Sequence, residues 1–246
     1  MKTYDPQKPL ISIHIPKCAG TSFSDVLKSW FSKGFLPHYF NELKNTPPVK
    51  HALYSGFFRK KIKPGLCIHG HFNNIRGTGV LDYYPEVDQL ITIIRNPFEV
   101  HLSNYFYVKR SVQNGGAYRN GKQHEIIEMG WNLEGYLREN KKSHIALFLP
   151  SILTIDNYKE VLDQKFLFMG ISEDLQGSVN LLANKLGFSA VEVSKMNESE
   201  RDEEIPDGAL EEFVKNNPLE MAIYTHIKNR FEQQLAEFNA QQKPRE

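Results

Sequence analysis

The chain has 246 residues, of which 40% are hydrophobic and 24% charged, so it can bury a full core and has a globular composition. A net charge of +1 argues against a whole-surface nucleic-acid binder while leaving room for a local basic pocket. Two cysteines, Cys18 and Cys67, cannot build a disulfide framework and suit a reducing compartment. No run approaches the roughly 20 apolar residues of a membrane span. The first residues lack the apolar core of a signal peptide, so a cytoplasmic protein is expected.

Leu10–Ile15 is a short, isoleucine-rich run that predicts a buried strand, stopped by Pro16. The turn Lys17-Cys18-Ala19-Gly20-Thr21-Ser22 follows, and then Phe23, Val26, Leu27, Trp30 and Phe31 recur at helical spacing. A strand, a small-residue turn and a helix N-terminus aim backbone N–H groups and the positive helix end at one point. With the Lys17 charge and the Thr21 and Ser22 hydroxyls, this stretch reads as an anion cradle suited to phosphate.

Lys33–Lys63 reads as a long surface connection, with a helical turn at Asn41–Lys44 and a basic run at Arg59, Lys60, Lys61 and Lys63. Leu66–Ile68 predicts a strand delivering His69-Gly70-His71, and Phe72–Tyr84 a loop. Gln89–Ile94 is the strongest strand, apolar on both faces as a central parallel strand should be. It ends in Arg95-Asn96-Pro97, with Pro97 opening a helix that runs to Lys109. A glycine-rich polar loop is expected over Ser111–Gln123, a helix over Ile126–Leu137, and a short segment over Ser143–Leu149. A helical pattern over Asp156–Asp163 precedes a buried strand, Phe166–Gly170. Ser172 is expected to cap a helix over Leu175–Leu186 that stops at Gly187. A charged loop over Ser189–Asp207, two further helices from Gly208 (the second after Pro218) and a frayed tail from Asn239 complete the chain. The expected fold is α/β, a P-loop-like, mainly parallel sheet flanked by helices, in one domain over residues 1–246.

The cradle is not a Walker A loop, because its lysine opens the turn instead of following a second glycine. Arg95 stands where a P-loop kinase commonly carries a metal-organising carboxylate, and arginine selects a phosphate oxygen. Ser103, eight residues on, could share that phosphate. Two separated anion sites fit a ligand phosphorylated at two ends. There is no Cys-x-x-Cys or helical His pair for zinc, and no Gly-x-Ser-x-Gly elbow.

The Pro-Lys turn and Arg95-Asn96-Pro97 with Ser103 and Tyr105 resemble the phosphate-binding segments of sulfotransferases that use 3′-phosphoadenylyl sulfate (PAPS). Phe168–Leu186 is similar to a helix start of the same family. The resemblance implies that Lys17, Cys18, Ala19, Gly20, Thr21 and Ser22 hold the 5′-phosphosulfate and that Arg95 and Ser103 bind the 3′-phosphate. Cys18, Ala19 and Asn96 depart from the usual Thr/Ser, Gly and Asp. His69-Gly70-His71 resembles the uronyl 2-O-sulfotransferase branch, which implies His71 as catalytic base and a supporting or acceptor-binding role for His69. Histidine has a suitable intrinsic pKa for that work. The implied reaction gives PAP (the nucleotide left after transfer) and a sulfate ester, requires no metal, and acts on a hydroxyl that is expected to be a saccharide's. Glu99 and His101 are expected to pack or face solvent, and Lys195 or Arg201 could touch a phosphate. A magnesium-dependent nucleotide kinase and a non-catalytic nucleotide- or sugar-binding module are the alternatives.

Overall fold

A computed structural model describes residues 2–55, 61–62, 65–114, 129–193 and 201–242. Its strands are β1 Leu10–Ile13, β2 Phe35–His38, β3 Tyr54–Ser55, β4 Lys61–Ile62, β5 Cys67–Gly70, β6 Leu90–Ile94 and β7 Phe166–Ile171. Its helices are α1 Gly20–Phe31, α2 Val80–Tyr83, α3 Pro97–Gln113, α4 Leu133–Glu139 and α5 Tyr158–Lys165, then α6 Leu175–Leu186, α7 Ala209–Asn216 and α8 Pro218–Gln242. Five strands form one parallel sheet in the order β2-β5-β1-β6-β7, while β3 and β4 pair antiparallel with each other.

Every residue of β1, β6 and β7 is buried, as strands covered on both faces require. Leu10, Ile11, Leu90, Ile91 and Ile94 are each at most 1% exposed. Burial of such a side chain is worth about 1.5–3 kcal/mol, so the centre of the sheet is also the centre of the core. The buried side chains of α1, α6 and α8, among them Phe23, Leu27, Leu182, Ile223 and Ile227, belong to the same core. A second apolar cluster joins α3, α4 and α7 through Phe98, Phe106, Leu133, Tyr136 and Phe213.

The sheet has one more strand than the sequence suggests. The β2 strand, Phe35-Leu36-Pro37-His38, lies inside the stretch expected to be loop. Pro37 explains the difference: it offers no N–H to a ladder and reads as a turn residue, yet a sheet edge tolerates it. Asn41–Thr46 closes as a turn through a bridge between its two ends, not as a helical turn. Phe72–Tyr84 holds α2 within the predicted loop. Helix α6 spans Leu175–Leu186 as expected, but its cap is Asp174, which accepts the Gly177 N–H, and not Ser172. Helix α8 continues into the stretch expected to fray from Asn239, as far as Gln242, the last described residue. The basic run at residues 59–60 and 63, most of the glycine-rich loop and residue 195 lie outside the described residues. Among those that are described, no helix is long and apolar enough to cross a membrane.

Candidate active site

Parallel strands end on a common edge, and β1 is the point where the strand order reverses, with β5 and β2 on one side and β6 and β7 on the other. Ligands in open α/β sheets bind outside such a switch point. The turn after β1 is unusual there. Lys17 and Ala19 both adopt left-handed backbone, with φ of 66° and 56°, a conformation costing on the order of 1–2 kcal/mol for a residue with a Cβ. Alternating left- and right-handed residues fold successive N–H groups into an anion-binding concavity. Gly20, Thr21 and Ser22 occupy the first turn of α1, where N–H groups have no intrahelical acceptor.

Not every residue of the turn faces that concavity. The Cys18 side chain is 1% exposed, its N–H donates to the Ile15 carbonyl at 3.3 Å, and burial pushes its thiol up to about 12. The ligand-binding role expected of Cys18 is therefore corrected: it is a core residue. Thr21 is exposed and Ser22 is buried at the margin.

The Lys17 ammonium stands 4.0 Å from the centre of the Tyr107 ring. Burial, followed by the nearby Arg110 and Arg95 charges, lowers it to about 8. Arg95 at the end of β6 donates to the Lys17 carbonyl at 3.5 Å, so its guanidinium reaches the backbone of the turn. Arg95 also pairs with Glu99 at 3.3 Å. Glu99 in turn binds Arg201, which the charged loop brings back to α3. Glu99 is thus neither a packing nor a merely solvated residue; it balances two arginines. Glu203 secures the same return by accepting from Tyr105 Oη, Lys109 Nζ and the Leu133 N–H at 2.6–2.8 Å. Ser103 is buried on α3, 8% exposed, and no hydrogen bond joins it to Arg95 among the described residues. His101 packs against Tyr136 and Phe213.

Beside the turn stands a group of three imidazoles, His14, His69 and His71, from the ends of two strands, β1 and β5. The His71 Nδ1 is 2.7 Å from the His14 carbonyl. A carbonyl only accepts, so Nδ1 carries the proton and Nε2 keeps its lone pair in the neutral ring. Burial lowers His71 below its ordinary value and so favours the neutral ring, opposed in part by that hydrogen bond. His69 is placed otherwise than expected. It is 0% exposed, bonded through Nδ1 to Ser12 Oγ at 2.9 Å and set between Phe23 and Phe35, so it cannot meet an acceptor here. Its burial lowers it to about 3.

The sequence reading missed His14 and Tyr39. The His14 ring lies 4.3 Å from His71 and stacks on His69 at 5.2 Å, and its Nδ1 is 2.9 Å from Tyr39 Oη. The signal for His14 was a lone polar residue inside the apolar run Ile13-His14-Ile15, two positions before Pro16. Tyr39 had no signal, since β2 itself went unseen. Among the described residues, no three His, Cys, Asp or Glu side chains are grouped to hold a metal ion. No family model matches this chain, and no curated protein does.

Proposed function

We propose that the protein transfers a sulfuryl group from PAPS to a hydroxyl, a saccharide's by the resemblance above, and releases PAP. One observation carries the reading: a neutral histidine with an unprotonated Nε2 and a cationic, helix-capped turn occupy the same sheet edge. Lys17 and the N–H groups of Ala19, Gly20, Thr21 and Ser22 hold the phosphosulfate, and Arg95 takes the 3′-phosphate in exchange for part of its contact with Glu99. The acceptor oxygen forms a bond to sulfur as the bond from sulfur to the bridging oxygen breaks. That bond's electron pair stays on the bridging oxygen, now part of PAP, and the hydroxyl proton passes to His71 Nε2. Lys17 offsets the charge that develops on the leaving oxygen, where electrostatic stabilisation counts most. Two free, buried thiols at Cys18 and Cys67 suit a reducing compartment such as the cytoplasm.

Calorimetry with PAP and with AMP, which lacks the 3′-phosphate, tests the donor. PAP is expected to bind far better, and Arg95→Ala to erase most of the difference; equal binding by the native protein refutes the assignment. Stabilisation by ATP-magnesium but not by PAP would instead establish the kinase alternative. His71→Ala should keep PAP binding while transfer to a responsive sugar acceptor falls about 10²–10⁴-fold. The native rate should decline on the acid side through a group below the ordinary 6.5 of imidazole, because only unprotonated His71 accepts the proton.

A further inference from the structure

His14 occupies the space between the base and the turn. Its carbonyl holds His71, its N–H donates to the Gly70 carbonyl at 2.8 Å, and its ring covers the start of α1. The fit is close: a Cβ built on Gly20 would come within 1.7 Å of His14 Nε2. The other ring nitrogen, Nδ1, is engaged with the Tyr39 hydroxyl at 2.9 Å. A hydroxyl can donate or accept, so this contact permits either tautomer. The two tautomers differ in what Nε2 offers the turn. With Tyr39 donating to Nδ1, the His14 proton sits on Nε2, beside Gly20 and the cationic turn. With the opposite arrangement, Nε2 would present a lone pair to any anion bound there.

We propose that His14 is a further substrate-binding residue, whose Nε2–H donates to the sulfuryl group of the donor, with Tyr39 holding the required tautomer. The proposal rests on the sulfotransferase reading. His14 then acts as a neutral donor. Burial, with His71 and His69 close by, lowers it to about 2, so it adds no positive charge next to the base. The Tyr39 phenol keeps its proton near neutral pH, as a tyrosine ordinarily does, and is able to donate. Lys17 supplies the full charge and His14 the directed hydrogen bond, and the two divide the binding of one anionic group. The role explains why the turn places glycine at position 20, since any side chain there would displace the ring.

The test compares PAPS with PAP, which differ by the sulfuryl group alone. Calorimetry on the full chain should show His14→Ala weakening PAPS by about tenfold or more while leaving PAP within about twofold, as expected for one lost hydrogen bond to a charged group. His14→Gln, which carries an amide N–H near the Nε2 position, should recover part of the loss. Nitrogen NMR of ¹⁵N-histidine-labelled protein should find the His14 proton on Nε2, and Tyr39→Phe should redistribute it between the two nitrogens. PAP binding and thermal melting verify that each variant is folded. Equal effects on PAP and PAPS, no effect on either, or a native His14 protonated at Nδ1 would each overturn the proposal. A native protein that binds neither nucleotide would instead remove the sulfotransferase reading beneath it.

Discussion

At the scale of single residues, the turn after β1 combines strain with a close approach. Ala19 holds a left-handed backbone that glycine would adopt freely, while Gly20, next to it, is needed for space and not for its backbone freedom. Its neighbour is the His14 ring, and the contact can be isolated. Gly20→Ala should cost about 1–3 kcal/mol in the native background, as overpacked sites do. In a His14→Ala background the same change should be neutral or stabilising by up to about 1 kcal/mol, since alanine is the better helix former. Chemical denaturation of the four proteins gives the coupling directly. Additivity within about 0.5 kcal/mol would mean that ring and glycine do not press on each other. The site also shows which residue properties a sequence exposes. Lys17, His71 and Arg95 were legible because each charged or titratable group sits at a strand end. Cys18 was misread because a turn places side chains on both of its sides, and only coordinates reveal that the thiol lies in the core.

At the scale of elements, β1, β5, β6 and β7, with α1, α3 and α6, could be anticipated because apolar periodicity and caps agree for them. Strand β2 could not, since Pro37 contradicts a strand by local rules and only its edge position reconciles the two. Helix α6 gives the most direct test of a misread signal. Both Ser172 and Asp174 are capping residue types, but only the Asp174 carboxylate accepts from a helix N–H, that of Gly177 at 2.9 Å. Asp174→Ala should therefore destabilise by about 1 kcal/mol. Ser172→Ala should stay within about 0.5 kcal/mol, because its hydroxyl makes only a 3.4 Å contact with Glu173. Equal losses in urea denaturation would return the cap to Ser172. Glu173 has other work: it accepts from the Asn96 N–H and from Tyr224 Oη, tying the loop after β7 to the start of α3 and to α8.

At the scale of the molecule, the sheet edge that offers a base near neutral pH also makes stability depend on pH. His14, His38 and His69 are held neutral, lowered mainly by burial to about 2, 4 and 3. In the unfolded chain each returns to about 6.5. Between those values the unfolded state binds more protons than the folded one, so stability rises with pH. The contribution is complete above pH 6.5 and is lost as pH falls below it towards the folded values. One such histidine is worth about 1.4 kcal/mol per pH unit, and three set an upper bound of about 4 kcal/mol per unit. A domain with a typical stability of about 5–15 kcal/mol cannot absorb that over many units. Melting followed from pH 7.5 to 5 should show a steep decline in Tm that begins near 6.5, well above the range in which carboxylates titrate. His38→Phe, which keeps a flat ring against Phe72, should flatten the decline by about a third if the three contribute alike. A Tm unchanged between pH 7 and 5 would mean that these rings are hydrated and protonate as freely in the folded chain as in the unfolded one.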